Sequence, residues 1–255
     1  PVMIGFCGEY LANPERSYAE DLFLYGKIVK EIARSASVPV ATLLNEAIDI
    51  DYTYRGVAAG FDMVMFVDVN MPVDQLTAVQ KPLVRFAHAC GVDVEAELGS
   101  LPTADQGTGA QSGGLNTDPD VAAKFVRETG VDALAVAIGN VHLLEGRKAE
   151  LDLDLLGRIN AKVPAPLVLH GGTGVDKKVF KEAAKNGIAK VNVGAGLKRV
   201  AINSYQEYLA KNDVSKMNPN KIPGTGGALD RMRSAHDGLM AVPHTHLRAH
   251  ETEAD

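Results

Sequence analysis

Seven short apolar runs recur along the chain at Val2–Phe6, Val38–Leu44, Met63–Val67, Val92–Leu98, Ala133–Ile138, Pro166–Leu169 and Ala189–Val193. Each is nearly continuous in apolar residues and rich in valine, the pattern of strands covered on both faces. The intervening stretches read as helices. Residues 17–34 open with Ser17-x-x-Glu20, a capping box, and then place Leu22, Tyr25, Ile28, Val29 and Ile32 on one stripe. Asp118-Pro119 starts another helix, and Leu153–Ile159, Lys178–Lys185 and Leu197–Leu209 supply three more. Strand and helix alternate without a Ser/Pro-rich linker, which predicts an α/β fold with parallel strands and right-handed crossovers. Seven βα units are one short of a (β/α)8 TIM barrel. The barrel is preferred to an open sheet because polar residues follow many strand ends instead of gathering at one switch point. The chain opens at Pro1 directly in a strand, so the first βα unit is the one expected to be missing. Residues 1–211 would form the barrel domain and 212–255 a helical, polar tail.

Composition narrows the setting. The chain has 255 residues, 46% of them hydrophobic, enough for one large core. The formal charge is −6 with no basic run, which argues against nucleic acid or an anionic membrane as partner. Cys7 and Cys90 show no metal-type spacing and suit a reducing cytoplasm. No apolar stretch approaches the roughly 18 residues of a membrane span.

Reading each strand to its carboxyl end gives Asn45-Glu46, Asp68, Glu95 and Glu97, His142, His170 and Asn192. Two histidines and a carboxylate on one rim suit a divalent ion with open positions, which would act as a Lewis acid on a carbonyl substrate. Two hydrogen-bonded structural histidines are the alternative. Gly171-Gly172-Thr173-Gly174 and Gly194-Ala195-Gly196 each precede a helix, as in loops whose backbone N–H groups anchor a phosphate or polyol. Gly99–Thr117 is too long for an ordinary βα connection and reads as an active-site loop. Tyr52, Tyr54 and Arg55 could touch substrate or pack on a helix surface.

Several of these segments resemble one family. Val92-Asp93-Val94-Glu95-Ala96-Glu97-Leu98-Gly99, Thr117-Asp118-Pro119, residues 125–139, Leu167-Val168-Leu169-His170-Gly171-Gly172-Thr173-Gly174 and Gly187-Ile188-Ala189-Lys190-Val191-Asn192-Val193 are similar to the class II, metal-dependent fructose- and tagatose-bisphosphate aldolases. The resemblance implies a (β/α)8 barrel, a homodimer or homotetramer, and a divalent metal, Zn2+ first. It also implies reversible aldol cleavage of a ketose, ketose phosphate or related sugar acid through a metal-stabilised enediolate. Under it, His142 and His170 match two of the three zinc-binding histidines. The third lies in an Asp-His-Gly motif that here reads Asn45-Glu46-Ala47, leaving Glu46 as carboxylate ligand, and Glu97 matches an acidic residue near a second metal position. Asn45 replaces the proton-shuttling aspartate, and an amide cannot do general acid–base work near neutral pH. Glu46, Asp49 or Asp105 would then take that role. Gly171, Gly172, Thr173, Asn192 and Gly194 would hold the substrate's phosphate or sugar-acid end. Ala195 and Gly196 stand where the family has a hydroxyl and a carboxylate, which implies a more open anchor. Alternatives are an epimerase or isomerase using the same enolate chemistry, and a non-catalytic aldolase-like binding subunit.

Overall fold

The computed structural model describes residues 1–18, 20–100, 114–141, 149–233, 235–237 and 239–240. His142 and Asp105 lie outside them, as do most of the Gly99–Thr117 loop and the tail histidines His244, His246 and His250.

The elements run β1 (Val2–Cys7), α1 (Gly8–Leu11), α2 (Leu22–Ser35), β2 (Val40–Ala47), α3 (Ile50–Ala58), β3 (Met63–Phe66), α4 (Val73–Ala89) and β4 (Asp93–Leu98). They continue α5 (Pro119–Thr129), β5 (Ala133–Val136), α6 (Leu153–Asn160), β6 (Leu167–Leu169), α7 (Lys177–Lys185), β7 (Ile188–Val191) and α8 (Ala195–Lys211). The seven strands form one parallel sheet in the order β1 to β7, each paired to its sequence neighbour. The result is a seven-strand half-barrel in which every apolar run anticipated above contributes a strand. Among the described residues no pairing joins β1 to β7, so an eighth unit is not observed.

Alternation along the strands divides the apolar side chains into two sets. One set, including Leu44, Val64, Val94, Ala96, Leu134 and Leu169, packs against the helices as the main core. The other, Leu43, Met63, Ala133, Ala135 and Val168 with Met3 against them, fills the concave side of the sheet. Nearer the carboxyl ends of the strands that second series gives way to polar residues, which form the site described below.

The amino terminus of α2 differs from expectation. Asp21, not Ser17, caps it, its carboxylate accepting from Phe23 N and Leu24 N. The buried stripe is also rotated: Leu22, Gly26 and Val29 face inward, while Ile28 and Ile32 are exposed. The cause is a close approach at Gly26, where an added Cβ would lie 2.3 Å from the carbonyl oxygen of Ala59. Beyond α8 the chain returns to it, with the Tyr208 hydroxyl donating to Leu229 O and Asp230 accepting from Gly224 N, Gly226 N and Met232 N.

A polar clamp ties α2, β2 and β3 together at the opposite end of the strands. Asp62 pairs with Lys30 and accepts from Thr42 N and Thr42 Oγ1, both at 2.8 Å. Burial alone would raise the Asp62 carboxyl, but the Lys30 and Thr42 donors outweigh it and hold it below the usual range. Its contribution to stability is therefore present above the unfolded pKa of about 3.9 and is lost as pH falls through the lower folded value. Asp62→Asn is expected to cost about 1–2 kcal/mol at neutral pH in urea unfolding. The gap to the parent protein should narrow below about pH 4.

Candidate active site

Three strand ends supply the centre of the site. Glu97 is on β4, two residues beyond Glu95, so both side chains leave the same face of the strand. His170 follows β6 with the parity of the inward-facing Val168. Its backbone carbonyl accepts from Asn140 Nδ2 at 3.0 Å, and His170 is only 1% exposed. The next residue turns the chain away: Gly171 has φ +68°, and a Cβ there would sit 2.6 Å from Val141 O, so no side chain fits.

Glu46 reaches the same place by a different device. Neighbours on a regular strand point to opposite faces, and Asn45 already points inward. The β2–β3 register shifts between Leu44 and Ala47, and Glu46 is the sole non-glycine residue with positive φ, at +49°, among the described residues. This local bulge turns Glu46 to the concave side as well, so both side chains enter the site.

The geometry converges on the imidazole of His170. Its Nδ1 lies 3.2 Å from Glu46 Oε1 and 3.4 Å from Glu97 Oε2. On the far side of the ring, Nε2 lies 2.9 Å from Glu95 Oε1 and 3.0 Å from Asn192 Nδ2. Glu95 is fully buried and its second oxygen is 2.7 Å from Lys190 Nζ. Asn192 donates to Asn45 Oδ1 at 3.2 Å. The second oxygen of Glu46 accepts from the Cys7 thiol at 3.5 Å, and among the described residues Cys7, Glu9 and Glu46 are the group of donors close enough together for one ion.

The charges are strongly coupled. Burial alone would push His170 down, but hydrogen bonds to Glu46 and Glu95 and the charge of Glu97 raise it to about 9. Burial pushes Glu97 up to about 7; the charge of His170 opposes this, while Glu46 and Glu95 reinforce it. Glu95 moves down despite burial because His170 and Lys190 both serve it. Burial carries the Cys7 thiol up to about 11, with Glu46 adding to the shift, so Cys7 is no nucleophile near neutral pH.

The donor types suit a divalent cation. Two carboxylates, Glu46 and Glu97, approach one imidazole nitrogen, and the other ring nitrogen is held by a third carboxylate, as is usual for a metal-ligating histidine. Of the residues singled out in the sequence, Asn45, Glu46, Glu97, His170 and Asn192 come together. Gly172 N donates to Asn192 O, and Thr173 Oγ1 accepts from Gly196 N, so the two glycine turns lie side by side next to them. Gly194 caps α8 and is exposed.

Three candidates have other work. Asp49 caps α3 by accepting from Tyr52 N, Asp68 accepts from Asn70 N, and Tyr54 packs edge-on against Phe86. Lys190 and the pairing of Glu95 had no explicit place in the sequence argument. The available signal was a charged residue at an inward position of an apolar strand, for Lys190 two residues before Asn192.

An acid–imidazole centre just beyond the carboxyl ends of parallel strands is where α/β enzymes place their chemistry. The sequence profile of the family described as class-II fructose-bisphosphate aldolase matches residues 9–244, and the chain belongs to that family. YdjI of Escherichia coli (strain K12), described as uncharacterized, is 32% identical over 207 residues, covering 81% of this chain and 72% of YdjI. The X-ray structure of the YdjI aldolase from Escherichia coli K12 superposes on this fold with a TM-score of 0.77 at 25% identity, over 100% of this chain and 83% of that one. The fructose-bisphosphate aldolase of Campylobacter jejuni shares the fold at 20% identity, with a TM-score of 0.74 over 97% and 82% of the two chains. Among the described residues no helix is long and apolar enough to cross a membrane.

Proposed function

We propose that the protein is a metal-dependent aldolase-type lyase that cleaves a ketose, a ketose phosphate or a related sugar acid. The observation that carries this reading is the approach of Glu46 and Glu97 to His170 Nδ1, at 3.2 and 3.4 Å, at the strand ends of a class-II aldolase fold. These three side chains, with His142 as the family resemblance implies, would hold the ion, and Zn2+ suits the donor types. Bound there, a divalent ion supplies Lewis acidity toward a substrate carbonyl.

The remaining work falls to the chain itself. Glu95, accepting from the Nε2 N–H, fixes the plane of the His170 ring. Gly171, Gly172, Thr173 and Asn192 line the adjoining turns and orient the anionic or hydroxylated end of the substrate. The absence of a side chain at Gly194 and Gly196 leaves room for a group other than a compact phosphate. Asn45 donates or accepts a hydrogen bond to a substrate hydroxyl but carries no proton away. Asp105 is retained as acid–base candidate from the sequence alone. The family resemblance further supports a homodimer or homotetramer, and the two thiols without metal-type spacing suit a reducing cytoplasm.

A panel of ketose phosphates and keto-acids, assayed for aldehyde release with and without EDTA, tests the reading. The expected result is release with at least one substrate, lost on chelation and restored by Zn2+ or Co2+. Cleavage by the ion-free protein would sink it. Solvent deuterium entering the substrate carbon without aldehyde would instead support an epimerase or isomerase.

A further inference from the structure

Lys190 is an internal cation that the chemistry above does not use. It lies on β7 opposite Val168 of β6, with its side chain 17% exposed, and its ammonium reaches across the concave side of the sheet to Glu95 on β4. The same Nζ donates to Asn192 Oδ1 at 2.7 Å. One ammonium is thus one step from the His170 ring by two routes, since Glu95 Oε1 and Asn192 Nδ2 both contact Nε2.

Each route removes a freedom. An asparagine amide can sit in either of two orientations, and an ammonium, which only donates, selects the one with Oδ1 toward itself. That leaves Nδ2 facing the ring and Asn45 Oδ1. A fully buried carboxylate is costly unless paired, and Lys190 supplies the pair. With Glu95 neutralised in this way, Glu46 and Glu97 are the two carboxylates left facing Nδ1, a charge that matches one divalent ion.

We propose that Lys190 is a positioning residue for the cation site, holding the His170 ring through Glu95 and the Asn45 amide through Asn192. This inference rests on the metal reading above.

Co2+ is the probe, added to the ion-free protein and followed by its visible absorption, with thermal unfolding checking that each variant is folded. Lys190→Met is expected to weaken Co2+ binding about tenfold to a hundredfold, the range for loss of a group that orients a metal ligand, and to alter the absorption band. Because this variant strands the buried Glu95 charge, a second one, Glu95→Gln/Lys190→Met, removes the pair as a unit and should fold. Its Co2+ binding should remain weakened to a similar degree. If the parent protein binds Co2+ and the folded double variant binds it within about twofold, with an unchanged band, the inference is overturned and the metal reading stands. If the parent protein binds no divalent ion at all, both fall.

Discussion

His170→Ala is expected to abolish high-affinity binding of divalent cations, raising the Kd for Zn2+ or Co2+ by more than about a hundredfold and removing any metal-dependent turnover. The effect exceeds that of any other single substitution because this one ring contacts three carboxylates and an amide of the centre. Glu46 and Glu97 face one nitrogen, and Glu95 and Asn192 face the other. The ion-free variant should also be less stable by about 3–5 kcal/mol, since buried carboxylates lose their partner. His88→Ala is the control. His88 pairs with Asp132 at 2.8 Å on the exposed surface, and such a pair contributes about 0–1 kcal/mol and nothing to ion binding. Calorimetric titration of both variants separates the cases, and near-native affinity in His170→Ala would remove the centre from consideration as a cation site.

Cation affinity should climb steeply with pH. In the ion-free protein His170 loses its proton near pH 9 and Glu97 near pH 7. Both are ligand candidates, and an ion must displace whatever protons they hold. Affinity should therefore rise roughly a hundredfold per pH unit below 7, where two protons are released, and roughly tenfold per unit between 7 and 9, where one is. Stability of the ion-free protein runs the other way. A raised His170 stabilises fully below its unfolded value of about 6.5, and that stabilisation is lost as pH rises through 9. Glu97, also raised, binds its proton more tightly when folded, so its contribution declines as pH rises through 7. Proton release on metal addition, measured in two buffers of different ionisation enthalpy, reads the stoichiometry directly. A pH-independent Kd between 6 and 9 would contradict the charge arrangement.

Much of the fold was legible because its strands are buried on both faces and so announce themselves as unbroken apolar runs. All seven apolar runs contribute a strand, with boundaries shifted by one to three residues at several ends. The helices were less regular signals. Pro82 lies inside α4, where a proline normally argues against a helix, and α3 begins directly after the irregular end of β2. The rotated face of α2 came from a contact with Ala59, which no periodicity along α2 encodes.

The same division holds in the site. Glu97 and His170 can be found by reading each strand to its end. Glu46 is found that way too, but its inward aim depends on a bulge that alternation would deny. The Lys190–Glu95 pair joins β4 to β7, almost a hundred residues apart, and only the three-dimensional register brings those positions together.

The backbone under Glu46 has a consequence for how such centres diversify. Its φ of +49° is territory that asparagine, aspartate and histidine enter several times more readily than other non-glycine residues. An oxygen ligand here could be exchanged for an imidazole by changing two codon positions, with no remodelling of the main chain. The choice between them would then follow the metals a cell supplies and the charge its substrate carries, not the constraints of the architecture.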